Sequence, residues 1–261
     1  MAKRSEISAG TGPYGSVDLN CDMGEGIGND EYIMPFISSA NIACGYHAGD
    51  EKTIWQTIEQ AVNHNVAVGA HVSFFDKENF GRNEMDLESN EIYDLIMQQL
   101  LIIEEIAEGF PVKLNHVKPH GALYNMSAKD PVLAATIAKA VKDFDENLVL
   151  FGLSNSHSLT KASEIGLKIA SEVFADRAYL DDGGLAPRSQ PGALIEDAHR
   201  STRQVLQMIK QKTVTTLSGK TIPIIADTIC IHSDGKQAIA FAKNISEAIK
   251  KEGIGIRPPR E

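Results

Sequence analysis

The feature that most restricts this chain is an alternation. Short apolar runs rich in β-branched residues are separated by longer stretches with helical periodicity. The runs are VDLN (17–20), ANIAC (40–44), VAVGAHV (66–72), LNHVKPH (114–120), LVLFGL (148–153), LKIASEVF (167–174) and ADTICIH (226–232). A βαβα order means a mainly parallel sheet with helices packed outside it. Seven such units suit a closed or nearly closed barrel. A doubly wound open sheet is the alternative, weakened because GEGIGND after the first run lacks GxGxxG spacing and carries a carboxylate, Glu25.

The intervening segments read as helices. DEKTIWQTIEQAVNH puts Ile54, Ile58, Ala61 and Val62 on one face. ESNEIYDLIMQQLLIIEEIAEG does the same with Ile92, Leu95, Ile96, Ile103 and Ile106, and ends at Gly109 as a C′ glycine. DPVLAATIAKAVKDFD begins with Asp130 as N-cap and Pro131 at the first helical position. HSLTKASEIG, ALIEDAHRSTRQVLQMIKQK and KQAIAFAKNISEAIKKEG complete the set, and TVTTLSGKTIPII reads as a β-hairpin turning at Ser218-Gly219. With no linker or repeat visible, residues 16–261 are expected to form one domain behind a disordered tail, 1–15.

A parallel barrel carries its chemistry at the C-terminal ends of its strands. Here those ends hold Asp18, Asn20, Asp22 and Glu25; His47 and Asp50; His71 and Asp76; His116, Lys118 and His120; Glu172, Asp176 and Arg177; and Asp227, His232 and Asp234. Of eight histidines, five (His47, His71, His116, His120, His232) fall at these ends, while His64, His157 and His199 sit in helix or loop positions expected at the surface. His116, Lys118 and His120 are two residues apart, so a strand points all three one way. Burying them demands polar partners, which implies one polar pocket. Two chemistries suit such a ring. One is a divalent metal held by a carboxylate and two histidines, with Asp22, His71 and His120 as the expected set. The other is metal-free acid–base hydrolysis. Asp18 and Asn20 also suit loop tethering, Asp176 and Arg177 a mutual salt bridge, and Asp234 the N-cap of the last helix.

The net charge of -10, without a basic stripe, argues against nucleic acid and anionic membranes as partners. Three scattered cysteines, Cys21, Cys44 and Cys230, exclude a disulfide scaffold. The first residues contain no apolar signal-peptide core, and no run approaches a membrane span, so a cytoplasmic location is expected.

Five segments together resemble the LamB/YcsF family: VDLNCDMGEGIGNDEYIMPFISSANIACGYHAGD (17–50), GAHVSFFDKENFGR (69–82), HVKPHGALYN (116–125), EVFADRAYLDDGGLAPR (172–188) and DTICIHSD (227–234). They occur in order over nearly the whole chain. Two stretches depart from the family pattern. HVSFFD has Val72 where proline is typical, and HSDG replaces the usual HGDN. Both bear on loop shape beside the pocket.

The resemblance implies a distorted seven-stranded (β/α) TIM-like barrel of the glycoside hydrolase/deacetylase type. It also implies that the chain serves as the A subunit of an ATP-hydrolysing 5-oxoprolinase, which opens 5-oxo-L-proline to L-glutamate together with B and C subunits. ATP with Mg2+ is then a co-substrate of the complex, and the absence of a P-loop motif places its binding on a partner. On that basis Asp22, Glu25, His47, His71, His116 and His120 are the expected catalytic residues. Asp18, Asn20, Lys118, Arg177 and His232 are the expected substrate-binding residues. A stand-alone metal-dependent amide hydrolase or sugar deacetylase, and a non-catalytic substrate-presenting protein, are the alternatives.

Overall fold

The computed structural model describes residues 15–232 and 237–259. The expected tail, apart from Gly15, and the proposed cap Asp234 lie outside them. In chain order the elements are β1 (Ser16–Met23), α1 (Asp30–Ile33), a 3-10 turn (Met34–Phe36), β2 (Ser39–Ala43), α2 (Glu51–His64), β3 (Ala67–Val72), α3 (Ser89–Ala107) and β4 (Leu114–Pro119). Then come α4 (Gly121–Ser127), α5 (Pro131–Phe144), β5 (Val149–Leu153), α6 (His157–Glu164), β6 (Lys168–Phe174) and α7 (Ala198–Gln211). The last are β7 (Thr213–Thr215), β8 (Thr221–Pro223), β9 (Thr228–Ile231), α8 (Ala238–Lys251) and β10 (Gly255–Ile256).

Seven strands, in the order β1-β2-β3-β4-β5-β6-β9, pair in parallel and close into a barrel where β9 returns to β1. At the seam Asp18 pairs with Thr228 and Cys21 with Ile231. The expected barrel is therefore the observed one. β7 and β8 form the expected antiparallel hairpin outside it, turning at Gly219. β10, unforeseen in the sequence, pairs with the first residues of β1.

Period-two alternation decides what faces where. Leu19, Cys21, Ile42, Val68, Ala70 and Val117 point outward and are buried beneath the helices, against residues such as Ile58, Ile96, Leu100, Val141 and Ile245. The opposite faces fill the barrel, and most of what they carry is polar: Asp18, Asn20, Asp22, Asn41, His71, His116, Lys118, Glu172 and Thr228, all buried. Val149, Phe151 and Ala170 form a small separate apolar cluster. A barrel is usually packed with branched apolar side chains; this one is held by hydrogen bonds and ion pairs.

Several local expectations meet the structure directly. Asp130 caps α5, accepting from Val132 N and Leu133 N, with Pro131 at the first turn. The C-terminus of α3 differs in its cause. Gly109 follows the cap residue Glu108, but a Cβ there would stand 2.7 Å from the Trp55 ring, so close packing rather than a left-handed turn requires glycine. The helix predicted from Ala193 starts at Ala198, because Asp197 accepts from Arg200 N and sets the boundary. Among the described residues Gln237 precedes α8 as its N-cap, without a side-chain cap bond. His64, His157 and His199 are exposed, as expected.

Candidate active site

β4 runs into α4 with no loop between them. His120 is the N-cap, and Gly121 turns the chain at φ 56°. A Cβ on Gly121 would lie 2.3 Å from Gly81 O, and Ala122 N donates to that oxygen. The loop after β3 is thereby pinned over the barrel mouth. Asp76 folds this loop by accepting from Asn79 Nδ2 (2.7 Å) and Asn83 N (3.2 Å), so it is a clasp rather than a pocket residue. The loop delivers Phe80 O to His120 Nε2 at 3.0 Å.

The histidines at the mouth have fixed tautomers. His71 Nδ1 donates to Lys118 O (2.9 Å). His120 Nε2 donates to Phe80 O. His47 Nδ1 donates to Ser73 Oγ (2.9 Å), whose own hydrogen goes to Phe74 O. Gln99 clamps Ser73 through both its backbone groups. When neutral, each ring therefore turns an unprotonated nitrogen inward. His71 Nε2 and His120 Nδ1 lie 2.8 Å apart, and Glu25 Oε1 is 3.3 Å from His47 Nε2, 3.8 Å from His71 Nε2 and 3.5 Å from His120 Nδ1. His47 and His120 stack at 3.8 Å. Burial, then the neighbouring His71, pushes His47 down to about 2, and the same causes hold His120 well below the usual imidazole range.

So many lone pairs converging in a buried space need a cation among them, either a shared proton or a metal ion. Three imidazoles and one carboxylate, with donor atoms within 4.8 Å of one another and each imidazole oriented by an oxygen acceptor, fit a divalent ion of the zinc type. The expected set is revised accordingly. Glu25 and His47 join His71 and His120, while Asp22 stands beside the group, its Oδ2 3.4 Å from His71 Nε2.

Asp22 belongs instead to a buried ion cluster. Lys118 Nζ lies 2.8 Å from Asp22 Oδ1, 2.9 Å from Glu172 Oε1 and 3.1 Å from Cys230 Sγ. Burial alone would raise the Asp22 carboxyl, but His71 and Lys118 outweigh it and hold it well below the carboxylate range. Burial would equally lower Lys118, yet Asp22 leads the groups that keep it charged. Asp22, Cys230 and His232 also lie within 4.8 Å of one another, but the Lys118 ammonium already serves as cation there.

Three expected site residues lie deeper. Asp18 accepts from Ser38, Ser39 and Thr228 hydroxyls at 2.5–2.7 Å, and burial raises its carboxyl to about 6. Asn20 donates to Glu172 (3.0 Å) and Thr228 (2.6 Å). His116 bonds Asn41 Oδ1 at 2.8 Å and stacks on Phe151 at 4.1 Å. None of the three lines the cavity at the barrel mouth. Asn20 and His116 hold Asn41, which donates to Asp22 Oδ1 at 2.8 Å.

The cavity has a volume of about 550 Å³ and is lined by Asp22, Glu25, His71, Lys118, His120, Arg177 and His232 among others. Asp176 does not pair with Arg177 as expected. Both its oxygens bond His232 Nδ1, at 2.8 and 2.9 Å. Burial would lower His232, but Asp176 overrides it and raises the imidazole above its usual value. This makes an Asp–His dyad on the rim opposite the histidine cluster. Tyr124, Ser156 and Phe174 also line the cavity, and none stood out in the sequence as a site residue.

Comparison with known proteins agrees with this architecture. The model of the LamB/YcsF family matches residues 17–261. The A subunit of 5-oxoprolinase from Staphylococcus aureus strain MSSA476 is 49% identical over 246 residues, covering 92% of this chain and 98% of that protein. The crystal structure of a lactam utilization protein from Thermus thermophilus superposes with a TM-score of 0.87 at 40% identity, covering 93% of this chain and 99% of that one. A family 4 carbohydrate esterase from Streptomyces lividans shares the fold alone, at 11% identity and a TM-score of 0.51, over 94% of this chain and 92% of its own. With a family match over residues 17–261 and a relative 49% identical over nearly its whole length, the chain belongs to the LamB/YcsF family.

Proposed function

We propose that this chain is the lactam-opening A subunit of a cytoplasmic, ATP-dependent 5-oxoprolinase, acting with B and C subunits on 5-oxo-L-proline. The supporting observation is that one cavity joins a cation-seeking cluster, Glu25, His47, His71 and His120, to Asp22, whose carboxyl is held low by His71 and Lys118, and to His232, whose imidazole is raised by Asp176. The name and 49% identity of the staphylococcal relative point to the substrate.

A lactam is a resonance-stabilised amide. Transfer of the ATP γ-phosphoryl group, with Mg2+, to the lactam oxygen releases ADP and makes the ring carbon electrophilic. Water then adds to that carbon, the C–N bond breaks, and the electron pair leaves on nitrogen with a proton. A second water hydrolyses the resulting acyl phosphate to glutamate and phosphate. A metal held by Glu25, His47, His71 and His120 would supply Lewis-acid polarisation and a more acidic bound water. Asp22 is fixed by Lys118 and Asn41 with Oδ2 turned toward His71, so it orients the attacking water as an acceptor. His232, charged through Asp176, is the group placed to protonate the departing nitrogen.

The test is glutamate release from 5-oxo-L-proline by the chain alone and with B and C subunits, with and without ATP. Release only in the complete mixture with ATP supports the proposal. Release by the chain alone without ATP, abolished by a chelator, overturns it in favour of a stand-alone metal-dependent amide hydrolase. The histidine donor set is the observation that favours this second reading. Unchanged turnover after substitution of both Asp22 and His120 would make the chain a substrate-presenting component without chemistry of its own.

A further inference from the structure

The cavity wall away from the histidine cluster carries a second anomaly. Three buried polar groups line it: Tyr124 Oη, which has the Glu172 carboxylate beside it but no well-formed hydrogen bond, and Ser156 Oγ and Arg177 Nε, without a hydrogen-bond partner among the described residues. The residues are only 6%, 7% and 8% exposed. Each such atom costs free energy in the empty protein unless something binds it. Their positions look built for a purpose. Ser156 is the N-cap of α6, yet its side chain makes no cap bond, leaving a helix N-terminus facing the cavity. Arg177 is fastened at one end only, Nη2 donating to Ala186 O at 2.6 Å. Its neighbour Asp176 is committed to His232, and no ion pair to Arg177 occurs among the described residues.

We infer that Tyr124, Ser156 and Arg177 form a subsite for the carboxylate of a small-molecule acid, separate from the reacting centre. All three can donate hydrogen bonds, and one carries a fixed charge, which is the complement of a carboxylate. The carboxylates Asp22, Glu25, Glu84 and Asp182 that line the cavity are matched in number by Arg82, Lys118, Lys129 and Arg188, which leaves the single charge of Arg177 and suits a monoanion. The Tyr124 phenol is raised well above its usual value by burial and by the Glu172 carboxylate, so it keeps its proton, which a ligand carboxylate would share with Glu172. The identity of the acid as 5-oxo-L-proline rests on the function proposed above; the subsite itself does not.

Binding to the purified full-length chain, measured by calorimetry, tests this. The probes are 5-oxo-L-proline, its neutral carboxamide, 2-pyrrolidinone, succinate, N-acetylglycine and inorganic phosphate. The acid should bind at least about tenfold more tightly than its carboxamide and 2-pyrrolidinone. Arg177→Gln should remove that preference, and Tyr124→Phe and Ser156→Ala should each reduce it about three- to tenfold. Arg177→Lys keeps the charge and serves as control if Arg177→Gln melts early. Equal binding of acid and neutral analogues, an acid preference indifferent to Arg177 and Tyr124, or binding of phosphate above every carboxylate overturns the subsite. Binding of succinate or N-acetylglycine through Arg177, with 5-oxo-L-proline excluded, keeps the subsite and overturns the 5-oxoprolinase reading. If no carboxylate binds, the subsite fails, and glutamate release by the complex still tests the function.

Discussion

Gly69 faces His116 across the β3–β4 ladder so closely that a Cβ on Gly69 would stand 2.1 Å from the imidazole Nε2. That nitrogen bonds Asn41, and Asn41 bonds Asp22, so a glycine in the barrel wall sets the position of a cavity carboxylate. Gly69→Ala is expected to cost about 1–3 kcal/mol through overpacking and to reduce turnover through Asp22. His116→Ala in the same chain makes room for the methyl group. The pair should then cost less than the sum of the single changes, measured as a double-mutant cycle in urea. Strict additivity would dissociate the two residues.

Lys118 was expected to hold substrate, but its ammonium is consumed by Asp22 and Glu172 in a fully buried cluster. Removing one partner of such a cluster strands the others. Lys118→Met should destabilise by about 3–5 kcal/mol, and adding Glu172→Gln should restore part of that. A Lys118→Met protein of unchanged stability, impaired only in substrate binding, would return Lys118 to its expected role.

The two outcomes show where sequence stops informing. Period two along HVKPH placed His116, Lys118 and His120 on one strand face, and all three are buried in the barrel or at its mouth. Depth along the barrel axis is set by closure and register, which pattern does not reveal, so Asp18 and His116 could not be told from Asp22 and His120. The partnership of Asp176 with His232 joins strands 56 residues apart, whereas Arg177 was adjacent in sequence and therefore conspicuous. Arg177 was already an expected substrate-binding residue, whereas Tyr124 and Ser156 acquire meaning only through their burial at the cavity wall, a property of packing alone.

His116 should shape the acid stability of the fold. Burial, then the Lys118 charge, lowers its imidazole to about 3, so it stays neutral when folded. An unfolded histidine titrates near 6.5. The stabilisation is therefore full above that value and is lost as pH falls from 6.5 toward 3. Between pH 7 and 5 this residue accounts for about 2 kcal/mol of lost stability. His116→Gln, which keeps a donor for Asn41, should flatten that slope in urea titrations at the two pH values. An unchanged slope would place the acid sensitivity elsewhere.

The histidine cluster predicts its own cation. If a metal supplies the charge, chain purified without chelators should carry close to one zinc-type ion by elemental analysis. His71→Gln and His120→Gln should each lower metal affinity by at least about tenfold. Thermal stability should fall after dialysis against EDTA in the unsubstituted chain only. A metal-free protein whose melting point ignores both EDTA and added zinc would assign the cation to a proton shared by His71 and His120.

His232 and Asp176 should leave a signature in the pH dependence of turnover. The active form of a proton donor is its protonated form. Asp176 raises the His232 value, so the rate should hold through neutral pH and fall on the alkaline side as His232 loses its proton. Asp176→Asn keeps the shape of the side chain but removes the charge that sustains the imidazolium. The alkaline limb of kcat should therefore move to lower pH, while glutamate release below that limb is less affected. His232→Gln should remove the limb and lower kcat about 10²- to 10⁴-fold, the usual range for a positioned proton donor. Merely structural damage would lower the rate at every pH and leave the limb in place. An Asp176→Asn profile that keeps the unsubstituted midpoint would show that the ring nitrogen takes its proton from another group.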